Sequence, residues 1–412
     1  GEEILWLPRA YSALFWVLGG IFLFLLAREL TSWEGGLLAV AFYLFNPFGV
    51  DASRSFQPDP LMTVMVTIAW WGMVRWLKKQ EWKWVIVVGL FAGTAILVKA
   101  LAVFAIFGGF LGIFLAYGPL KSLRSLKFWI MGAITALPTL IYMVYGFFIE
   151  GSLGDQFSMR FFPSLWVDPV FYLRWEGMLE LTAGLLPFIA GLTGIFFFSD
   201  KEKRWVIFSH WIGYFLYGMI FAYYFSTHTY YHIGLVPVVA LSIAPFGTLI
   251  GDRLRALKPA RWQSAVLVLI VSAGLFFNLW NIRDIYHKTD YRPLADVYAH
   301  IGEVVGNGGT NAIALSQDYN YRLEYWGWIR PSYWPYIGDQ ALQELAGNSI
   351  QDFEQDFTTR TEGKQYFIVT DLEELDRQTQ LHDLLYSQYP IYDQGDGYVI
   401  FDLLHPLAPS QP

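Results

Sequence analysis

The sequence predicts a polytopic α-helical membrane protein that ends in a soluble α/β domain. Three observations lead there. Only 15% of the 412 residues are charged and 55% are hydrophobic, whereas an ordinary soluble chain carries about 25% charged residues. Residues 1–284 gather their apolar side chains into repeated runs of membrane-span length. Residues 285–412 return to the mixed pattern of a soluble domain and hold most of the acidic side chains behind the net charge of -7.

The apolar runs give about ten candidate spans, at residues 8–27, 36–50, 60–77, 84–98, 101–117, 128–149, 181–198, 205–225, 233–250 and 262–280. Several are shorter than the roughly 20 residues of a straight crossing. The boundary at Lys99 is the least marked. No Pro or Gly separates Val98 from Leu101, yet residues 84–117 are too many for one ordinary span.

Charge parity places the break. With a turn at Lys99, alternate connections carry Arg28; Arg75, Lys78, Lys79 and Lys83; Lys121, Arg124 and Lys127; Lys201, Lys203 and Arg204; and Arg253, Arg255, Lys258 and Arg261. These fifteen basic residues face five on the other side, Arg9, Arg54, Lys99, Arg160 and Arg174. Basic loops stay in the cytoplasm. Asp59, Lys99, residues 150–180, the segment from His228 to His232 and the soluble domain are therefore expected outside. The same parity starts the chain outside, so at least one further segment is expected upstream of Gly1.

Residues 150–180 are expected to form a long connection rich in aromatics, among them Phe157, Phe161, Phe162, Trp166, Phe171, Tyr172 and Trp175. They suit a segment lying on the headgroups or a mobile cover over a lipid or acceptor site. In the soluble domain, helices are expected at 293–305, 340–346, 350–359, 372–377 and 381–388, with Asn307-Gly308-Gly309 ending the first. Strands are expected at 312–315 and 365–370, and at 389–394 and 398–403 around the turn signal Gly395-Asp396-Gly397. That makes three or four strands. Asp371, Glu373, Glu374 and Asp376 read as a solvated acidic helix start. There is no cysteine and hence no disulfide or thiolate site, and no phosphate loop or His-Glu-x-x-His. No nucleic-acid partner is expected.

Two polar stretches sit at span ends, where they are expensive and therefore suspect. Asp59 stands between Pro58 and Pro60. It can cap the helix that Pro60 opens or do chemistry. Arg54 suits an interface anchor or a phosphate. Lys99, with apolar sequence on both sides, can snorkel or offer a point charge to a phosphate. His228, Tyr230, Tyr231 and His232 fall in one short connection. A His can donate to a phosphate oxygen or titrate near neutral pH. The His-x-x-x-His spacing leaves a divalent cation possible, with no third ligand evident. Together these groups suit a phosphate-bearing substrate with its tail in the membrane.

These residues resemble a family. Trp6-Leu-Pro-Arg9-Ala-Tyr-Ser-Ala-Leu14, Arg54-Ser-Phe-Gln-Pro-Asp59-Pro-Leu, Gly93-Thr-Ala-Ile-Leu-Val-Lys99 and His228-Thr-Tyr230-Tyr231 occur in the order seen in bacterial family 39 glycosyltransferases of the GT-C class. That family includes protein O-mannosyltransferases and the lipid A aminoarabinose transferases. The resemblance covers roughly residues 5–250. It implies a multi-pass protein of the bacterial plasma membrane that moves a sugar from a polyprenyl-phosphate donor to an extracytoplasmic lipid, glycan or protein acceptor. It implies that Asp59 is the second acidic position of the site, that Lys99, His228 and Tyr231 touch the donor phosphate, and that Arg9 and Arg54 support them. The family's principal catalytic Asp belongs to the first outer loop, which would lie upstream of Gly1. Two other classes remain: a non-catalytic membrane subunit of a larger complex, and a transporter. The absence of Asp and Glu from the middle of every candidate span opposes the transporter.

Overall fold

A computed structural model describes residues 4, 6–151, 153, 160–257, 261–288, 292–307, 311–348 and 352–408. The chain divides into two compact units, Gly1–Ile285 and Tyr286–Pro412.

The first unit is helical. Its elements are α1 (Trp6–Leu30), α2 (Trp33–Phe45), α3 (Pro47–Arg54), α4 (Asp59–Lys79), α5 (Trp82–Val98), α6 (Ala102–Tyr117), α7 (Pro119–Arg124), α8 (Leu126–Val144), α9 (Pro169–Thr182), α10 (Leu185–Gly194), α11 (Lys201–Ile220), α12 (Ala222–Thr227), α13 (Leu235–Leu257) and α14 (Arg261–Lys288). Local chemistry sets several boundaries. Ser32 opens α2, its hydroxyl accepting from Gly35 N–H at 3.2 Å. Asn46 closes α2 and opens α3, accepting from Gly49 N–H at 2.7 Å with Pro47 next in line. The break predicted at Lys99 is present: α5 ends at Val98, Lys99 is extended, and α6 starts at Ala102.

Helix α4 runs through the middle of this unit and packs on α1, α5 and α6, while α6 packs on α11 and α2 on α13. The α6–α11 contact is backbone to backbone. A Cβ on Gly108 would lie 2.7 Å from the Ser209 carbonyl, and one on Gly213 2.4 Å from the Phe104 carbonyl. No larger residue fits either place without moving a helix.

Among the described residues four helices are long and apolar enough to cross a membrane, or up to six if each of two bent pairs is one span. Of the ten expected spans, those at 205–225 and 262–280 are not among these, and four others differ for two reasons. Helices α5 and α6 have only 17 and 16 residues. The runs at 36–50 and 181–198 are not straight spans: α2 and α3 meet at 58°, and α9 meets α10 and its 3-10 extension at 94°. Gly184, at φ +79, turns the second pair. Nor is 150–180 an open connection, because its C-terminal part is α9, with a short 3-10 helix at Pro163–Val167 before it. Phe157 lies outside the described residues.

The second unit contains α15 (Arg292–Val304), β1 (Ala312–Leu315), α16 (Tyr321–Tyr325), β2 (Ser332–Tyr333), α17 (Ile337–Leu345), α18 (Phe353–Thr361), β3 (Tyr366–Val369), α19 (Leu372–Arg377), α20 (Thr379–Gln388), β4 (Ile391–Gly395) and β5 (Tyr398–Asp402). Five strands form one sheet in the order β2-β1-β3-β5-β4. Parallel pairing joins β1 to β2 and β3, and antiparallel pairing joins β5 to β3 and β4. The fifth strand, β2, went unforeseen because two residues carry no periodicity. Gly308, Gly309 and Ile350 lie outside the described residues.

The acidic start of α19 is not solvated throughout. Asp371 caps it by accepting from Glu374 N–H at 3.1 Å and also accepts from the Tyr336 hydroxyl at 2.9 Å. Glu374 is buried and accepts from Ile337 N–H, Gln378 and Arg377. Burial and nearby carboxylates, Asp339 and Asp371, raise the Tyr333 and Tyr336 hydroxyls above the ordinary tyrosine value.

Candidate functional site

The chain bends that interrupt the helices bring the polar stretches together. Asp59 is the first residue of α4 and is buried. Pro58, just before it, has no polar side-chain group and makes no cap bond. Lys99 sits in the extended break between α5 and α6, which points it across to α4. Its ammonium donates to both Asp59 oxygens, at 2.8 and 2.9 Å. The carboxylate is thus engaged as an ion-pair partner and not as the helix cap that Pro58-Asp59-Pro60 allowed. Lys99 does not snorkel away from the protein, and its side chain is 20% exposed.

The connection between α12 and α13 supplies the next layer. A 3-10 turn at Thr229–His232 presents Tyr230 and Tyr231 over the ammonium. Lys99 Nζ lies 5.3 Å from the Tyr230 ring centre and 5.9 Å from that of Tyr231. Arg160 also reaches this turn, donating to the Tyr231 hydroxyl at 3.3 Å and lying over the Tyr224 ring at 4.9 Å. Two cations therefore flank one tyrosine.

Asp59, Lys99, Tyr230 and Tyr231 line a cavity of about 40 Å³ that extends between α4, α6, α11 and α13 to Trp70, His210 and Val238. Beside it lies an apolar groove of about 490 Å³ between α5, α6 and α8, which includes Phe107, Thr135, Ala136 and Leu140. Leu101 and Phe104 line both. A largely apolar chamber that holds one ion pair and the side chains of Tyr214, Tyr217, Tyr230 and Tyr231 thus adjoins an apolar groove.

The other residues singled out in the sequence fall differently. His228 borders the chamber without lining it: its ring is 5.4 Å from Tyr230, and Nδ1 is 2.7 Å from the Thr227 hydroxyl. His232 is a correction. It is fully buried and bonded on both nitrogens, Nδ1 to the Tyr214 hydroxyl at 2.7 Å and Nε2 to the Phe225 carbonyl at 2.8 Å, so it braces the turn and does not face a ligand. Arg9 and Arg54 are exposed, on α1 and at the end of α3, and neither lines the cavity. The helical His-x-x-x-His pairing does not form, because a 3-10 turn replaces the helix. Among the described residues no three His, Asp or Glu side chains gather as metal ligands.

Arg160 and His210 belong to the neighbourhood and were not foreseen. Arg160 entered the sequence reading only as one of five basic residues on its side, since the aromatics after it form no motif. His210 sits in an apolar run with nothing beside it to mark it.

Residues 3–145 match the family model described as dolichyl-phosphate-mannose-protein mannosyltransferase. No curated protein matches the sequence. Among solved structures, the chain is similar to ArnT from Cupriavidus metallidurans in the apo state, with TM-score 0.57 and 14% identity over 95% of this chain and 83% of that one. It is similar to ArnT bound to undecaprenyl phosphate, with TM-score 0.56 and 14% identity over 96% and 83%. It is also similar to the archaeal oligosaccharyltransferase AglB from Archaeoglobus fulgidus, in complex with an inhibitory peptide and a dolichol-phosphate, with TM-score 0.54 and 13% identity over 97% and 63%. At these identities the structures establish the fold. Family model and fold together bear out the resemblance to GT-C membrane glycosyltransferases read from the sequence.

Proposed function

We propose that this chain, built on a GT-C glycosyltransferase scaffold, transfers a sugar from a polyprenyl-phosphate donor to an acceptor at the extracytoplasmic face of a bacterial plasma membrane. One observation carries the reading: a chamber with a buried ion pair opens beside an apolar groove. A polyprenyl-phosphate sugar has the matching two-part chemistry, an anionic head and a long apolar tail. The phosphate-lipid ligands named for the ArnT and AglB structures support the same class.

In this reading the tail lies in the groove between α5, α6 and α8, and the phosphate reaches Lys99, with Arg160 and the Tyr230 and Tyr231 hydroxyls around it. The acceptor hydroxyl attacks the anomeric carbon, the bond from that carbon to the phosphate oxygen breaks, and the lipid phosphate departs carrying the electron pair. Cations already in position stabilise that charge without reorganising. The proton lost by the acceptor goes to a carboxylate.

Asp59 has two tasks here. Without donor it holds Lys99 in place. With donor, the phosphate competes for the ammonium, and a freed Asp59 oxygen accepts from a substrate hydroxyl. His228 is an edge group of this site, while Arg9 and Arg54 take no direct part.

The test is sugar transfer by the full-length protein in nanodiscs, supplied with undecaprenyl-phosphate sugars and, separately, with the matching nucleotide sugars. Transfer from the lipid-linked sugar alone is expected. Transfer from a nucleotide sugar without lipid phosphate would contradict the donor class.

A further inference from the structure

The inner end of the cavity holds a group that the donor reading does not use. His210, on α11, is 3% exposed and lines the cavity wall. Its ring stacks on Trp70, with centroids 4.0 Å apart and planes at 27°. Among the described residues neither Nδ1 nor Nε2 has a hydrogen-bond partner. Two polar groups that line the same cavity are spent elsewhere, and the neighbouring Ser209 hydroxyl is buried without bonding to the ring. The Trp70 indole donates to the Ala105 carbonyl at 3.0 Å, and the Tyr214 hydroxyl is shared between Trp175 and His232. An orphaned buried polar group costs about 1–3 kcal/mol, and native interiors rarely keep one without a partner.

We infer that the inner end of this cavity binds a hydroxyl group on His210. The chemistry follows from the ring. A neutral imidazole offers one donor and one acceptor, and a hydroxyl has both. The space agrees: the cavity measures about 40 Å³, against the roughly 10–15 Å³ that one water needs. It therefore has room for about three or four water-sized groups in a cavity that Lys99 and Asp59 also line. The Gly108 and Gly213 close approaches hold α6 and α11 together beside this space, with the His210 backbone against Gly108. The hydroxyl has two sources, a resident water or a hydroxyl of the donor's sugar. Only the second rests on the donor reading.

The experiment is a pair of structures of the full-length protein that resolve ordered water, one ligand-free and one with a non-transferable polyprenyl-phosphate sugar. Density within about 3.2 Å of a His210 ring nitrogen is expected in at least one. Density already present in the ligand-free protein assigns it to water. Such a site, in a protein that binds no donor, leaves this inference standing while the donor reading fails. Density found only with donor assigns a sugar hydroxyl. His210→Phe, which keeps the stacking on Trp70, should then weaken binding of the sugar-bearing lipid about three- to tenfold while leaving the sugar-free lipid phosphate unchanged. Equal binding of both lipids by variant and wild type would overturn the sugar assignment. An imidazole without a neighbour in both structures would overturn the inference itself.

Discussion

Helix α4 carries an ion-paired cluster at each end, and the two differ in what surrounds them. At its C-terminal end, Glu29 of α1 accepts from Arg75 at 2.8 Å, from Lys78 at 3.0 Å and from the Trp71 indole at 3.2 Å. Three donors from α4 close on one carboxylate, and Arg75 also lies over the Trp84 ring. At its N-terminal end, Asp59 has one donor residue among the described residues, Lys99, and the pair lines a cavity. Charge is therefore not what distinguishes the candidate site. Glu29 pins α1 to α4 with its valences filled. Asp59 and Lys99 line a cavity beside an apolar groove, and on that placement the proposed phosphate-lipid site rests.

The comparison can be broken most forcefully at Lys99. Lys99→Met should lower sugar transfer about 10²–10³-fold, the range seen when one group that stabilises transition-state charge is removed. It also leaves the buried Asp59 alone, so stability should fall by about 3 kcal/mol, read by denaturant unfolding. Asp59→Asn/Lys99→Met should recover most of that stability and none of the transfer. Recovery of both would make the pair a second structural pin.

Asp59→Asn alone should reduce transfer up to roughly hundredfold, because a misplaced Lys99 mispositions the donor. Unchanged steady-state kinetics would leave Asp59 a structural partner of Lys99 with no part in transfer. Arg160→Ala should weaken binding of the lipid phosphate by about tenfold, the loss of a hydrogen bond to a charged group. A titration with undecaprenyl phosphate measures it, and equal affinity would exclude Arg160 from the phosphate site. Glu29→Gln marks the quiet end of the series. It should lower stability by about 1 kcal/mol and leave transfer by the folded protein unchanged. A specific loss of transfer there would erase the contrast between the two ends of α4.

The sequence made one half of this contrast legible. Lys99 was placed in a break by charge parity, where no Pro or Gly marked a turn, and α5 does end at Val98. Motif order linked Asp59, Lys99, Tyr230 and Tyr231 across more than a hundred residues, and all four line one cavity. In the second unit, β1, β3 and the hairpin of β4 and β5 stand where strands were expected, the hairpin around the Gly395-Asp396-Gly397 turn.

The rest depends on contacts that no local pattern encodes. His232 resembled its neighbour His228, but the Tyr214 hydroxyl, on a different helix, claims it. Arg160 owes its place to Tyr231 and Tyr224, more than sixty residues on. The bends at Asn46 and Gly184 interrupt apolar runs whose composition reads as continuous. Glu374 looked solvated in an acidic stretch, yet Ile337 N–H and Gln378 draw it inside.

The most direct measurement compares affinities for undecaprenyl phosphate and undecaprenol in the wild type and in Asp59→Asn/Lys99→Met. Both lipids carry the same tail, so the groove's contribution cancels. Removing both charges together avoids stranding either one. The wild type should prefer the phosphate lipid by at least about tenfold, the worth of one hydrogen bond to a charged group, and the double variant should bind the two alike. A wild type without that preference, or a double variant that retains it in full, would contradict the phosphate site at Lys99.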